Sequence, residues 1–210
     1  MRFLTKLQLD ALKEISSIGA GNAATALSQF IDKEVEMDPP EVTIATAQRV
    51  PQIIKEEIPA LMMVTLEISG DILGHLLVIF NQDNAANMVD FLMGRQLGST
   101  AIDLSEIDIS ALKEVSSVMS GSFLRVLGDT INKTLQMSPP DFSQGSAAKI
   151  PEFILKHSIK ENETAIRLKS NLWVEDKIIK VFLYLVFVPS ASSLRELLRL
   201  LGMEEAGVIV

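Results

Sequence analysis

Apolar residues recur at helical spacing in two long segments, and each pattern predicts an amphipathic helix. The predicted helices cover residues 5–31 and 106–132. The apolar side of the first consists of Leu7, Leu12, Ile15, Ala26 and Phe30. That of the second consists of Leu112, Val115, Met119, Phe123 and Val126. Each helix therefore has one face for a core and one for solvent.

Shorter apolar runs between turn signals predict strands. These runs are 35–37, 42–47, 61–68, 72–80, 142–148, 164–174 and 178–188, and their aromatic residues Trp173, Phe182, Tyr184 and Phe187 are assigned to the core. Turns at 69–71 and 175–177 join four of the strands into antiparallel hairpins. Two short helices, 84–93 and 191–201, are predicted to end at Gly94 and Gly202. Residues 48–60 are predicted to be a polar connection.

The segment 11–40 returns at 111–140 with an offset of 100 residues. Both copies contain Ala-Leu-Lys-Glu, then Ser-Ser, and end in Pro-Pro. The repeat predicts an α+β fold with an internal pseudo-twofold axis, whose halves share one antiparallel sheet or form two abutting sheets. We expect residues 1–210 to form one domain of two repeats, about 1–104 and 105–210.

Each helix also has a polar stripe opposite its apolar face. At about 100° per residue, Asp10, Glu14, Ser17 and Gly21 share an arc of roughly 60°, and so do Ser110, Glu114, Ser117 and Gly121. A solvated helix face explains one such stripe, but its return in both copies favours a docking surface. Glycine is unfavourable inside a helix, so the Gly19-Ala20-Gly21 run predicts a kink or close approach of another backbone, with the second long helix as the expected neighbour.

Composition narrows the functional classes. A formal net charge of −8 without a dense basic cluster argues against nucleic acid or anionic membrane as a partner. The chain has no cysteine, and its two histidines, His75 and His157, are interpreted as strand residues, so no metal site is expected. No run is apolar enough for a membrane span or a signal segment. We therefore expect a cytoplasmic protein.

The spacing of the stripe resembles the CheC/CheX/FliY family of chemotaxis phosphatases. The family pattern has Asp or Ser, then Glu four residues later, Asn three after that, and Pro after a further 23. Asp10, Glu14 and Pro40 match it in the first copy, and Ser110, Glu114 and Pro140 match it in the second. The resemblance extends over residues 18–26 and essentially the whole chain. It implies two long helices side by side on an antiparallel β-sheet.

The resemblance implies a phosphatase that removes phosphate from the aspartate of a CheY-like response regulator. Glu14 and Glu114 would engage the regulator's active-site lysine, with Asp10, Gly21, Pro40 and their equivalents Ser110, Gly121 and Pro140 completing the docking surface. The regulator supplies the Mg²⁺, and no cofactor of this chain is implied. Ser17 and Ser117 stand where the family has the water-orienting Asn, so we expect reduced or absent activity.

Two other functions stay open at this stage. The chain is alternatively a non-catalytic adaptor that binds the phosphorylated regulator or the receptor deamidase CheD, for which the resemblance implies a surface around residues 94–105. A third alternative is a flagellar switch component like the middle domain of FliM. Both glutamates, and the lack of a regulator-binding peptide before Thr5, argue against that alternative.

Overall fold

The computed structural model describes residues 5–101, 103–147, 149–156, 164–174 and 179–202. Its α-helices are α1 (Lys6–Ile31), α2 (Val50–Glu57), α3 (Gln82–Leu92), α4 (Glu106–Ile131), α5 (Lys149–Lys156) and α6 (Ala191–Leu200). Its strands are β1 (Val35–Met37), β2 (Glu41–Thr46), β3 (Ala60–Gly70), β4 (Gly74–Asn81), β5 (Leu135–Met137), β6 (Asp141–Ser146), β7 (Thr164–Val174) and β8 (Ile179–Pro189). The order of elements repeats after α3, which confirms the internal repeat.

The two long helices begin and end in the same way. Thr5 and Ser105 are the N-caps, and each forms a capping box with the residue three positions later. Asp32 and Asn132 end the helices in the left-handed conformation, with φ of 53° and 52°. The predicted bounds of both helices are therefore confirmed to within one residue.

The eight strands of the described residues belong to one antiparallel sheet with the order β1-β7-β8-β4-β3-β5. Two strands lie off this path: β2 pairs with β7 beside β1, and β6 pairs with β3 beside β5. The outer strands β1 and β2 of the first repeat therefore pair with β7 of the second. In the same way, β5 and β6 of the second repeat pair with β3 of the first. Of the two predicted arrangements, the shared sheet is the one observed.

The repeats meet at the centre of the sheet, where β4 and β8 are antiparallel neighbours and Val78 lies opposite Leu185. Because these two strands are equivalent in the repeats, the pseudo-twofold axis is perpendicular to the sheet. Equivalent helices on one face of the sheet then run in opposite directions. The contact between Gly19 and Phe123 fits this antiparallel arrangement of α1 and α4.

The sheet is covered on both faces. One core lies under α1, α3, α4 and α6, and includes Leu12, Leu112, Val115 and Phe123. The second core lies under α2 and α5 and includes Ile54, Ile58, Ile150 and Phe153. The assignment of residues 48–60 to a polar connection is wrong. A 3₁₀ turn at Ala47–Arg49 leads into α2, because Val50 and Ile54, four residues apart, are both buried against the sheet.

A charged cluster ties α2 to β7 on this second face. The Arg167 side chain is buried, its Nε donates a hydrogen bond of 2.7 Å to Thr43 Oγ1, and its guanidinium stacks 5.2 Å from the Tyr184 ring. Glu57 forms an ion pair with Lys169. Burial and the Glu57 carboxylate raise the pKa of the Tyr184 phenol. The cluster fixes the end of α2 on the sheet.

Three residues assigned to the apolar face of α1 are not buried. Leu7 is 70% exposed because it precedes Glu14 by nearly two turns and therefore shares its face. Phe30 is 48% exposed and Ala26 is half-buried, since the last turns of α1 lie at the margin of the core. The apolar face predicted for α4 is entirely buried.

Of the aromatic residues assigned to the core, Tyr184 and Phe187 are buried, whereas Trp173 and Phe182 are half-buried. His75 lies in β4, as predicted. His157 and the predicted turn at 175–177 lie outside the described residues.

Candidate functional site

Both polar stripes lie on the solvent side of their helices. The stripe of α1 is Asp10, Glu14, Ser17 and Gly21, and all four residues are exposed. The stripe of α4 is Ser110, Glu114, Ser117 and Gly121, of which the first two are exposed and the last two half-buried. The solvent-facing orientation of both stripes thus agrees with the sequence pattern, and the stripe of α4 is the more enclosed of the two.

Each glutamate is held outward by the residues that flank it. Leu12 and Ile15 on either side of Glu14 are buried, and so are Leu112 and Val115 around Glu114. Within the part of the chain that the structure describes, neither carboxylate forms an ion pair or a hydrogen bond. Both are therefore free to bind a cation presented by another molecule.

The two serines of the stripes differ in their hydrogen bonds. Ser117 Oγ donates to the Lys113 carbonyl at 2.8 Å, one turn back along α4. No partner of the Ser17 hydroxyl is found among the described residues, and this side chain is exposed. The Ser117 hydroxyl can therefore only accept a hydrogen bond from a water molecule, whereas the Ser17 hydroxyl can both donate and accept one.

The glycines of the long helices have different surroundings. A Cβ at Gly19 would lie 2.7 Å from Phe123 Cδ2, so this glycine makes room for a side chain of the second long helix. The predicted neighbour is therefore confirmed, although a side chain and not a backbone makes the contact. A Cβ at Gly21 would have no other atom within 4 Å among the described residues, and one at Gly121 would lie 3.3 Å from Met137 Cε.

The segments that carry Pro40 and Pro140 lie beside the long helices and are fixed to the edges of the sheet. Asp38 accepts hydrogen bonds from Asn171 Nδ2 at 2.8 Å and from Trp173 Nε1 at 3.1 Å. In the second repeat, Ser138 Oγ accepts a hydrogen bond of 2.9 Å from the amide of Glu67. Both proline segments are therefore rigidly placed.

In the first repeat, this segment reaches the inner side of α1. Met37 and Pro40 line a small apolar cavity together with Gly19, Ala20 and Ala23. Pro40 is half-buried there, as Pro140 is in the second repeat. The proline segments thus border the long helices, and Met137 of the second segment reaches the stripe at Gly121.

The two stripes are distant from each other. With α1 and α4 antiparallel and Gly19 opposite Phe123, Glu14 and Glu114 are separated by roughly 20 Å along the helix axes. The stripes therefore form two separate sites, one in each repeat.

Exposed aliphatic residues flank the glutamates, and the sequence analysis missed this feature. Leu7 and Ile107 occupy equivalent positions, seven residues before each glutamate, and are 70% and 58% exposed. Ile18 follows Glu14 by one turn and is 49% exposed. Such residues supply apolar contact area around a central charge in protein interfaces. The spacings of seven and four residues from Glu14 would have indicated them.

The connector between the repeats is fixed by a buried carboxylate. Asp90 is fully buried and accepts hydrogen bonds from the amides and hydroxyls of Ser99 and Thr100. Burial acts to raise the pKa of Asp90, but these hydrogen bonds outweigh burial and lower it. Arg95, in the same connector, pairs with Asp108 at 2.8 Å. The assignment of residues 94–105 to CheD binding stays a prediction.

Within residues 5–101, 103–147, 149–156, 164–174 and 179–202, no group of three or more potential metal-ligating side chains occurs. None of the helices in these ranges is long and apolar enough to cross a membrane.

Comparison with known proteins shows which protein family this chain resembles. The model of the CheC-like family matches residues 7–44, which contain the whole first stripe and Pro40. The CheY-P phosphatase CheC of Bacillus subtilis is 25% identical over 198 residues, which are 93% of this chain and 94% of that protein. The chain is therefore similar to the CheC-like family, over residues 7–44 by the family model and over nearly its whole length by this relative.

Further relatives and solved structures agree with the family fold. The flagellar motor switch phosphatase FliY of Bacillus subtilis is 26% identical over 83% of this chain, and the chain spans only 45% of its length. The crystal structure of Thermotoga maritima FliY superposes with a TM-score of 0.79 at 20% identity, covering 97% of this chain and all of that one. The FliM middle domain from H. pylori superposes with a TM-score of 0.68 at 14% identity, covering 94% and 99%. The expected CheC-like α+β fold is confirmed.

Proposed function

We propose that this CheC-like chain docks on a phosphorylated CheY-like response regulator and accelerates hydrolysis of its aspartyl phosphate. The names of its relatives support this role, since CheC of Bacillus subtilis is called a CheY-P phosphatase. A solved structure of similar fold is a CheX–CheY–BeF₃–Mg²⁺ complex from Borrelia burgdorferi. Support also comes from the chain's own surface.

The observation that carries the proposal is the pair of exposed stripes, whose glutamate carboxylates have no partner among the described residues. In each repeat, Glu14 or Glu114 pairs with the lysine ammonium of the regulator's active site. Ser17 or Ser117, one turn further, reaches the water beside the phosphoryl group. The small residues Gly21 and Gly121 allow close approach of the regulator. Asp10, Ser110 and the proline segments border this contact.

The reaction places modest demands on the chain. Water attacks phosphorus, the bond between phosphorus and the aspartyl oxygen breaks, and the products are inorganic phosphate and a free aspartate carboxylate. Phosphoryl transfer of this kind depends on positioning and on stabilisation of charge. The regulator supplies its own Mg²⁺, so the task of this chain is to orient the water. Loss of one well-placed polar group typically costs about 10²- to 10³-fold in rate, so serine in place of an amide gives a slower enzyme.

Docking is tested by measuring the affinity of the protein for the response regulator of the same organism. Beryllium trifluoride and Mg²⁺ hold this regulator in a state that mimics the phosphorylated one. We expect Glu14→Lys combined with Glu114→Lys to abolish binding, because each new ammonium would oppose the regulator's lysine. Glu56→Lys is the matched control, since Glu56 is exposed on α2, on the opposite face of the sheet. Equal affinity of the double variant and the control would refute the docking surface.

A second candidate function is an adaptor that binds the phosphorylated regulator without hydrolysing it. Ser17 and Ser117 favour this alternative, since both repeats lack the amide that orients water in the family. Binding without any acceleration of phosphate release would identify the adaptor. CheD stays a candidate partner. A switch role like that of FliM is less favoured, because such a role would not require the two free glutamates.

A further inference from the structure

A groove continues the stripe of α4 beyond Gly121. It has a volume of about 350 Å³ and lies between the second half of α4 and β5. Its apolar floor includes Leu124, Leu135 and Met137, and Met137 is 38% exposed. The groove begins at a residue of the stripe, so a molecule that covers Glu114 and Gly121 borders the groove.

Among the described residues, the charged groups around the groove leave Arg125 without a partner. Lys133 lies 4.0 Å from Asp71, whose second oxygen accepts a hydrogen bond from the Thr134 amide. Asp129 is exposed one turn after Arg125, but no ion pair joins the two. Arg125 is exposed and forms no ion pair or hydrogen bond with any described residue. Its planar guanidinium is suited to a carboxylate.

The equivalent position in the first repeat is different. Thr25 replaces the arginine, and its hydroxyl donates to the Gly21 carbonyl at 3.0 Å. Ser28 replaces Gly128, and its hydroxyl donates to the Lys33 carbonyl. Beyond the stripe of α1, the hydroxyls are therefore bonded within their own repeat, whereas Arg125 beyond the stripe of α4 has no partner among the described residues.

We infer that Arg125 binds an acidic side chain of the docked response regulator in this groove and makes the second repeat the tighter of the two docking sites. The inference rests on the proposed function. Arg125 follows Glu114 by eleven residues, or about 16 Å along α4. The regulator must therefore present a carboxylate about that far from the lysine that pairs with Glu114. Arg125 follows Ser117 by eight residues, or about 12 Å along α4, so it is too far along the helix to reach the phosphoryl group beside Ser117.

The test isolates the second repeat by using Glu14→Lys as the background. In this background, Arg125→Thr is titrated against the beryllium-trifluoride form of the regulator at low and high salt. We expect a loss of affinity of about 3- to 10-fold at low salt, shrinking as salt screens the pair. Arg125→Lys should retain most of the affinity. Arg49→Thr is the matched control, because it removes one exposed cation beside α2, on the opposite face of the sheet from the groove.

The outcomes separate this inference from the proposed function. If Arg125→Thr binds as tightly as Arg49→Thr while Glu114→Lys abolishes binding, the docking surface stands and the role of Arg125 is refuted. If Glu114→Lys has no effect in this background, or if the unmodified chain fails to bind, the proposed function is refuted together with the inference.

Discussion

Gly21 offers a way to separate folding from docking. It lies in the interior of α1, where glycine costs about 1 kcal/mol relative to alanine, and a Cβ there would meet no other atom within 4 Å among the described residues. Gly21→Ala should therefore raise the free energy of unfolding by about 1 kcal/mol. For a chain of this size, the melting temperature should rise by about 2–4 °C. The added methyl group should at the same time keep the regulator from approaching the first stripe closely.

The assay pairs thermal unfolding with regulator binding in a Glu114→Lys background, where only the first repeat docks. Gly21→Ala should be more stable and bind the beryllium-trifluoride form of the regulator more weakly. Gly19→Ala is the control for a structural glycine, because its Cβ would lie 2.7 Å from the Phe123 ring, and we expect it to destabilise the chain by about 1–3 kcal/mol. A Gly21→Ala variant with unchanged affinity would refute the idea that this glycine serves docking.

Three further perturbations test other parts of the account. Ser17→Asn combined with Ser117→Asn should raise the rate of phosphate release, measured with a phosphate sensor, and an unchanged rate would argue against these positions as the site of water orientation. Ile54→Ala should lower the free energy of unfolding by about 2–5 kcal/mol in a denaturant titration, because the Ile54 side chain of α2 is fully buried against the sheet. A loss below 1 kcal/mol would mean that α2 contributes little to the core. The free energy of unfolding should be constant above about pH 5 and fall from about pH 4 downward. The pKa values of Asp90 and Asp108 are lower in the folded chain than in the unfolded chain, so protonation of these carboxylates at low pH favours the unfolded chain. Denaturant midpoints across pH 3–7 measure this effect, and Asp90→Asn should flatten the curve.

The parts of the fold that follow from the sequence are those with a strong local signal. Thr5 and Ser105 mark helix starts by their capping chemistry, and the repeated stripe identifies the outward faces of both helices. α2 was missed because it is only eight residues long and amphipathic, and Lys55, Glu56 and Glu57 make its segment resemble a polar loop. Only the sheet beneath it shows that Ile54 is buried.

The exchange of outer strands between the repeats has no local signal either. The three-residue β1 pairs with Val174 and its neighbours more than 130 residues away, and nothing in its sequence selects that partner. The same limit applies to the site. The glutamates and serines were located from the sequence, whereas the groove beside Arg125 arises only where α4 passes over β5. The expectation of one cooperative domain stays a prediction, and strand exchange supports it because neither half has a complete sheet.

The most direct test of the central claim is phosphate release from the response regulator of the same organism. The regulator is kept in steady state by a small-molecule phosphodonor, and this protein is added at sub-stoichiometric amounts. We expect faster phosphate release with the unmodified protein and no acceleration with Glu14→Lys combined with Glu114→Lys. No acceleration by the unmodified protein would contradict a phosphatase, and equal acceleration by the double variant would contradict the assignment of its site to the two stripes.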